Sequence, residues 1–429
     1  MNMGKGERAV YSAQAQTNDF SEIRTGWRLL LSAMLGTGLG FPPVPFYTIG
    51  IFAPIFAKEF GWSFASIFGG LVVMTVGLLF GGPFVGYLVD RYGARKVAAI
   101  SLSGLGISYM TLALSSGSII QYYVSWVAMT LAGLGATSIS FTRAVNAAFV
   151  SRRGLALGIT LAGIGLFAMF VKPFAAWLVN IAGWRSAIVA IGLLPLMVGA
   201  PAILWGFPKA QAGSVSKNEI VQQESVNGLT VRESIRTRAF WIMVIAFVSI
   251  AFATTGPFPN MENILRSVHV HAEDIVALTS LIGVTIVVGR LTAGWLMDRI
   301  WAPLLGVIVL TGASLGSWIL SQQVLSNQEA MFAIVLLGLT AGAEVDLLSY
   351  LVTRYFGVRH YGVIYGTLYG VFAAGGGFGP TMFGYAYDRG GSYSQILLLC
   401  ALLFLIAACL LTALGRYPDF VGEKSVEGS

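Results

Sequence analysis

Charge is what this sequence has least of. Only 10% of its 429 residues are Asp, Glu, Lys or Arg, against about 25% in soluble domains. Mean hydropathy is +0.77. So little charge cannot cover a water-soluble surface, so the chain is read as an integral membrane protein. Cysteine and histidine are also scarce. Cys400 and Cys409 fall in the last apolar stretch and read as thiols, without a disulfide scaffold. Three histidines and no Cys/His cluster argue against a metal site; no cofactor is expected. There is no N-x-[ST] string, and residues 1–25 lack the apolar core of a signal peptide. H-E-x-x-H and G-x-x-x-x-G-K-[ST] are missing, so no enzyme is expected.

Long apolar runs are abundant. A helix needs roughly 20 residues to cross the hydrocarbon layer. Twelve stretches qualify: 28–56, 64–89, 96–116, 120–149, 154–180, 184–206, 239–265, 273–299, 302–322, 328–356, 361–387 and 393–415. They predict an all-α membrane protein with two six-helix bundles, 28–206 and 239–415. Residues 207–238 form a polar linker between them, and 1–27 and 416–429 are tails. Net charge +7 could suggest nucleic acid, but placement argues otherwise. With both termini inside, 19 of the 26 Lys and Arg residues fall on the cytoplasmic side, four outside and three within spans. That bias is the positive-inside pattern.

A repeat supports the division. Gly86-Tyr87-Leu88-Val89-Asp90-Arg91 after span two matches Gly294-Trp295-Leu296-Met297-Asp298-Arg299 after span eight, at an offset of 208. The same offset relates Gly154 and Gly158 to Gly362 and Gly366. Two parallel halves with a site between them near the midplane is a transporter plan. Prolines 42, 43 and 45 interrupt span one, and prolines 257 and 259 interrupt span seven. Paired interruptions of this kind point to a site and to hinges.

Five ionisable residues sit deep in spans: Arg143, Lys172, Arg290, Glu344 and Asp346. At 1.5 Å per residue, most lie about 12–13 Å from the nearest span end. A charge at that depth costs several kcal/mol unless it meets a partner or water, so each marks function. Their sum of one positive charge points to an anionic substrate. Arg290 offers a planar fork for a carboxylate; the alternative is a structural pair with Glu344 or Asp346. Lys172, next to Pro173, is a second anion ligand or a snorkelling residue. Arg143 either faces the cavity or neutralises a span-ten acid. Glu344 and Asp346 stand about 200° apart on their helix, so one is expected to face the cavity and the other a neighbouring helix. They are the proton-carrier candidates, with a static ion pair as the alternative. Tyr47, Asn146, Asn260, Tyr350, Tyr365 and Tyr369 could complete the pocket or serve as packing.

Gly86-x-Leu88-x-Asp90-Arg91-x-Gly93-x-Arg95-Lys96 resembles the signature loop of the major facilitator superfamily, and the twelve-span layout extends the likeness over nearly the whole chain. The resemblance implies a gate at the cytoplasmic surface. Asp90, Arg91, Arg95 and Lys96 would latch the outward-open state, echoed by Asp298 and Arg299. A narrower resemblance is to the monocarboxylate porter and oxalate:formate antiporter branch. It rests on Glu59-Phe60-Gly61-Trp62-Ser63, Arg153-Gly154-x-Ala156-x-Gly158, Gly289-Arg290-x-x-x-Gly294 and Gly379-Pro380-x-x-x-Gly384. In that branch a span-eight arginine binds the substrate carboxylate, and Arg290 matches it. The oxalate exchanger also uses a span-eleven lysine, which this chain lacks, so oxalate is disfavoured.

The expectation is a secondary transporter for a small organic anion, a monocarboxylate or a related carboxylate, by proton-coupled alternating access. Anion antiport of the oxalate:formate type and drug or metabolite efflux are the alternatives; a non-transporting receptor ranks lower. Its partners would be the anion, protons or a counter-anion, and the lipid bilayer. It is expected as a monomer in the inner cell membrane with both termini cytoplasmic.

Overall fold

The computed structural model describes residues 21–208 and 228–418. Residues 1–20 and 419–429 of the expected tails and 209–227 of the expected linker lie outside the described residues; residues 21–27, expected as tail, are helical instead. Twelve helical passes follow one another, as the apolar runs require: in hydrocarbon a helix satisfies its own backbone. Among the described residues, ten stretches are long and apolar enough to cross a membrane. The difference of two has physical causes. Spans five and six run together from Arg153 to Gly206, bent at Gly183, whose φ of +80° a side chain would resist. Span eleven, Tyr361–Gly390, is a full-length helix too rich in Gly and Tyr to register as strongly apolar.

The predicted interruptions are present. Span one is two helices, Ser21–Gly38 and Pro43–Phe60. Span seven is likewise Arg238–Thr255 and Pro257–Ser267, parted at Gly256. Span four also breaks: Ile119–Gly133 and Ser138–Ala148 flank a short 3₁₀ turn. Spans eight (Ala272–Met297) and ten (Asn327–Phe356) are continuous.

Between the bundles, span two (Phe64–Tyr92) packs on span eleven and span five on span eight. Glycine makes both crossings possible. A Cβ on Gly86 would overlap the Gly362 carbonyl oxygen, and one on Gly154 would overlap that of Gly294. Small residues let helix backbones meet this closely. Both contacts lie at the end of the molecule carrying Asp90 and Asp298, here the latch face. Other glycines are not at crossings: Gly50, Gly283 and Gly384 have open space where a Cβ would stand.

Candidate functional site

Arg290 lies where spans five, eight and ten converge. Gly342 of span ten and Gly158 of span five approach its backbone so closely that a Cβ would stand 2.7 Å from the Arg290 nitrogen or 2.8 Å from its oxygen. The side chain is 5% exposed, Asp346 0% and Glu344 8%. Arg290 Nη1 donates to Asp346 Oδ1 at 3.3 Å. This one contact leaves much unspent. Arg290 Nε, Asp346 Oδ2, Glu344 Oε2 and the Tyr365 hydroxyl are buried and make no hydrogen bond within the protein. Buried polar atoms are normally paired, and each exception calls for an explanation. Of the two acids, Asp346 packs against span eight while Glu344 keeps the little access there is.

Tyr47 of span one and Tyr369 of span eleven both lie within electrostatic range of Arg290. Tyr369 belongs to a ladder on one face of span eleven. Tyr361, Tyr365, Tyr369 and Phe372 stack in turn at 5.2, 5.7 and 6.0 Å between ring centroids. Their spacing of four, four and three residues puts them on one stripe. The side chain of Lys172 lies outside the described residues.

At the latch face Asp90 caps span eleven. Its two oxygens accept the backbone N–H groups of Gly362 and Val363, each at 3.2 Å. Asp298 does the same for span five, accepting from Gly154 at 2.6 Å and Leu155 at 3.0 Å. A carboxylate at a helix N-terminus satisfies orphan donors and meets the positive end of the helix dipole. Each clasp ties one bundle to the other. Burial pushes the Asp298 carboxyl above its usual range, and the two N–H groups and then Arg152 and Arg153 pull the other way.

Several side chains stand elsewhere than the sequence suggested. Arg143 neither reaches a span-ten acid nor joins Arg290: its Nε donates to Asp90 Oδ1 at 3.0 Å. Of the charged signature residues, Asp90 alone is seen to bridge the bundles. Arg91 donates to Tyr87 on its own helix at 2.5 Å, Arg95 to the Leu204 carbonyl within its bundle, and Lys96 is exposed. Arg299 stacks on Trp295 at 3.6 Å, so the second clasp rests on Asp298. Tyr350 sits near the latch face and away from Arg290, with the Arg354 guanidinium 6.0 Å from the centroid of the Tyr350 ring. Asn260 opens instead onto a cleft of about 520 Å³ at the far face, beside Asn263, Tyr387 and Tyr393.

Asn146 is also at the latch, where its Nδ2 donates to Ser349 Oγ at 3.0 Å. Ser349 and the Tyr361 hydroxyl are 2.7 Å apart, and Tyr361 donates to Thr142 at 2.9 Å. Ser349, Tyr361 and Thr142 gave no sequence signal. Ser and Thr in a helix can bond to a carbonyl one turn back and so carry little visible cost in an apolar segment. One G-x-S-x-G string does occur, at Gly312–Gly316, but it is mid-helix. Its Ser314 donates to the Ala401 carbonyl at 2.9 Å, so it forms no strand-to-helix nucleophile elbow.

Residues 29–380 match the Major Facilitator Superfamily. Monocarboxylate transporter 13 of Bos taurus is 24% identical over 410 residues, covering 93% of this chain and 92% of its own. Among solved structures, the E. coli fucose:proton symporter FucP superposes with a TM-score of 0.66 at 15% identity, over 92% of this chain and all of its own. The human organic anion transporter MFSD10 superposes at 0.63 and 17% identity, over 91% and 99%. With the family match running through about four fifths of its length, the chain belongs to the major facilitator superfamily and is a transporter rather than an enzyme.

Proposed function

We propose that this protein carries a small organic anion, a monocarboxylate or a related carboxylate, across the inner cell membrane by proton-coupled alternating access. The observation that carries this reading is Arg290: a buried guanidinium at the meeting of both bundles, held by one contact and with hydrogen-bonding capacity to spare. A carboxylate ligand would fill that capacity through two parallel hydrogen bonds. The named cargo of the bovine and human relatives, a monocarboxylate and an organic anion, agrees with this. Tyr47, Tyr365 and Tyr369 are the neighbouring ligands in this reading, with Lys172 as a second cation. Asn260 serves the approach from the far face.

Coupling follows from the same pair. A substrate carboxylate that takes Arg290 deprives Asp346 of its cation. A buried carboxylate without a cation is held neutral by a proton. Glu344, with its residual access, is the exchange point with water. The latch face is the cytoplasmic one in this reading, and with both clasps closed there the state is outward-facing. Thermal-shift measurements on purified protein against short carboxylates and their neutral amides test the assignment. Stabilisation by the acids alone is expected; stabilisation by sugars or cationic amphiphiles and not by any acid would refute it.

A further inference from the structure

The two aspartate clasps are joined by a run of polar contacts linked at two points through adjacent residues of the chain. Asp90 accepts from Arg143 of span four at 3.0 Å. The preceding residue, Thr142, accepts from Tyr361 at 2.9 Å. Tyr361 meets Ser349 at 2.7 Å, and Ser349 accepts from Asn146 at 3.0 Å. The Asn146 carbonyl accepts from Arg153 Nη2 at 3.3 Å. Arg153 immediately precedes Gly154, whose N–H is held by Asp298. The run crosses between bundles at Thr142–Tyr361 and again at Ser349–Asn146.

The donors line up in one direction. Asn146 donates to Ser349, Ser349 is left to donate to Tyr361, Tyr361 donates to Thr142, and Thr142 closes on the Ser138 carbonyl at 2.6 Å. Chains of aligned hydrogen bonds polarise one another. All four side chains are at most 1% exposed, so water cannot replace a lost partner while the face is closed. Two members of the run are also related by the internal repeat. Arg153 and Tyr361 are the first residues of spans five and eleven, 208 apart, each next to the glycine that its clasp holds.

We propose that this chain, centred on Tyr361, couples the Asp90 and Asp298 clasps so that they release as one gate. Tyr361, Ser349, Asn146 and Thr142 are positioning residues for the transport cycle. The inference rests on the alternating-access reading, and the test separates the two.

Spin labels at Lys96→Cys and Arg359→Cys, in a Cys400→Ser/Cys409→Ser background, report the separation of the bundles at this face. Open populations are measured for Asp90→Asn, Asp298→Asn and the pair, with Tyr361 or with Tyr361→Phe. With Tyr361 present, the double variant should open at least about threefold less than the product of the single effects, as coupled sites do. With Tyr361→Phe the effects should multiply. Multiplying effects in the presence of Tyr361 would overturn the coupling. Ser349→Ala breaks the same chain and replaces Tyr361→Phe if that variant does not fold. A distance that stays short in every variant would overturn alternating access at this face, and the coupling with it.

Discussion

Replacing Arg290 by Ala separates what the pair with Asp346 does for stability from what it does for transport. The guanidinium and the carboxylate are 6% and 0% exposed. Removing the cation strands a buried carboxylate, which costs about 3–5 kcal/mol in comparable buried pairs. The contact is long for a charged hydrogen bond, at 3.3 Å, where about 2.7–2.9 Å is usual, so the lower part of that range is expected. Asp346→Asn added to Arg290→Ala removes the stranded charge. Most of the lost stability should then return, because a buried pair and its neutral replacement are often close in free energy. Transport should not return, because the carboxylate ligand is still missing. Thermal unfolding in detergent gives the stability, and uptake of a labelled carboxylate into proteoliposomes gives the activity. A double variant that transports like the parent would show that Arg290 only neutralises Asp346, and the anion assignment would fail. Arg290→Lys should bind the substrate more weakly than the parent, since the point charge lacks the planar fork.

Two further outcomes are expected. Gly86→Ala places a methyl group on the Gly362 carbonyl and should hold the latch face apart, raising labelling of a cysteine placed there; Gly50→Ala, with open space around it, should leave labelling unchanged. Glu344→Gln should flatten the pH dependence of uptake while exchange of substrate continues, and a retained proton requirement in both Glu344→Gln and Asp346→Asn would remove the coupling scheme.

The apolar runs, the halves and the isolated charges were legible because each is a one-dimensional property. Hydrocarbon thickness sets the length of a span, and a charge in such a span carries its cost wherever it points. The repeat was legible for the same reason: the Gly86–Arg91 and Gly294–Arg299 strings align by spacing alone. Their equal standing as clasps was less so, because the trailing Gly and basic residues of the signature are absent after Arg299, and only Asp298 reaches span five.

Which buried groups meet was left to the tertiary structure. Arg143 reads from sequence as a neighbour of the cavity or of span ten, and it lies on Asp90. Asn146 reads as a ligand and lies in the gate; Asn260 reads as a ligand and opens onto the far cleft. The physical reason is rotational. A helix turns about 100° per residue, and hydrophobicity is nearly uniform around a span in lipid. The sequence therefore determined that charges would be buried and roughly how deep. Helix crossings at Gly86–Gly362 and Gly154–Gly294 fixed the rotation of each span, and with it which residue faces which.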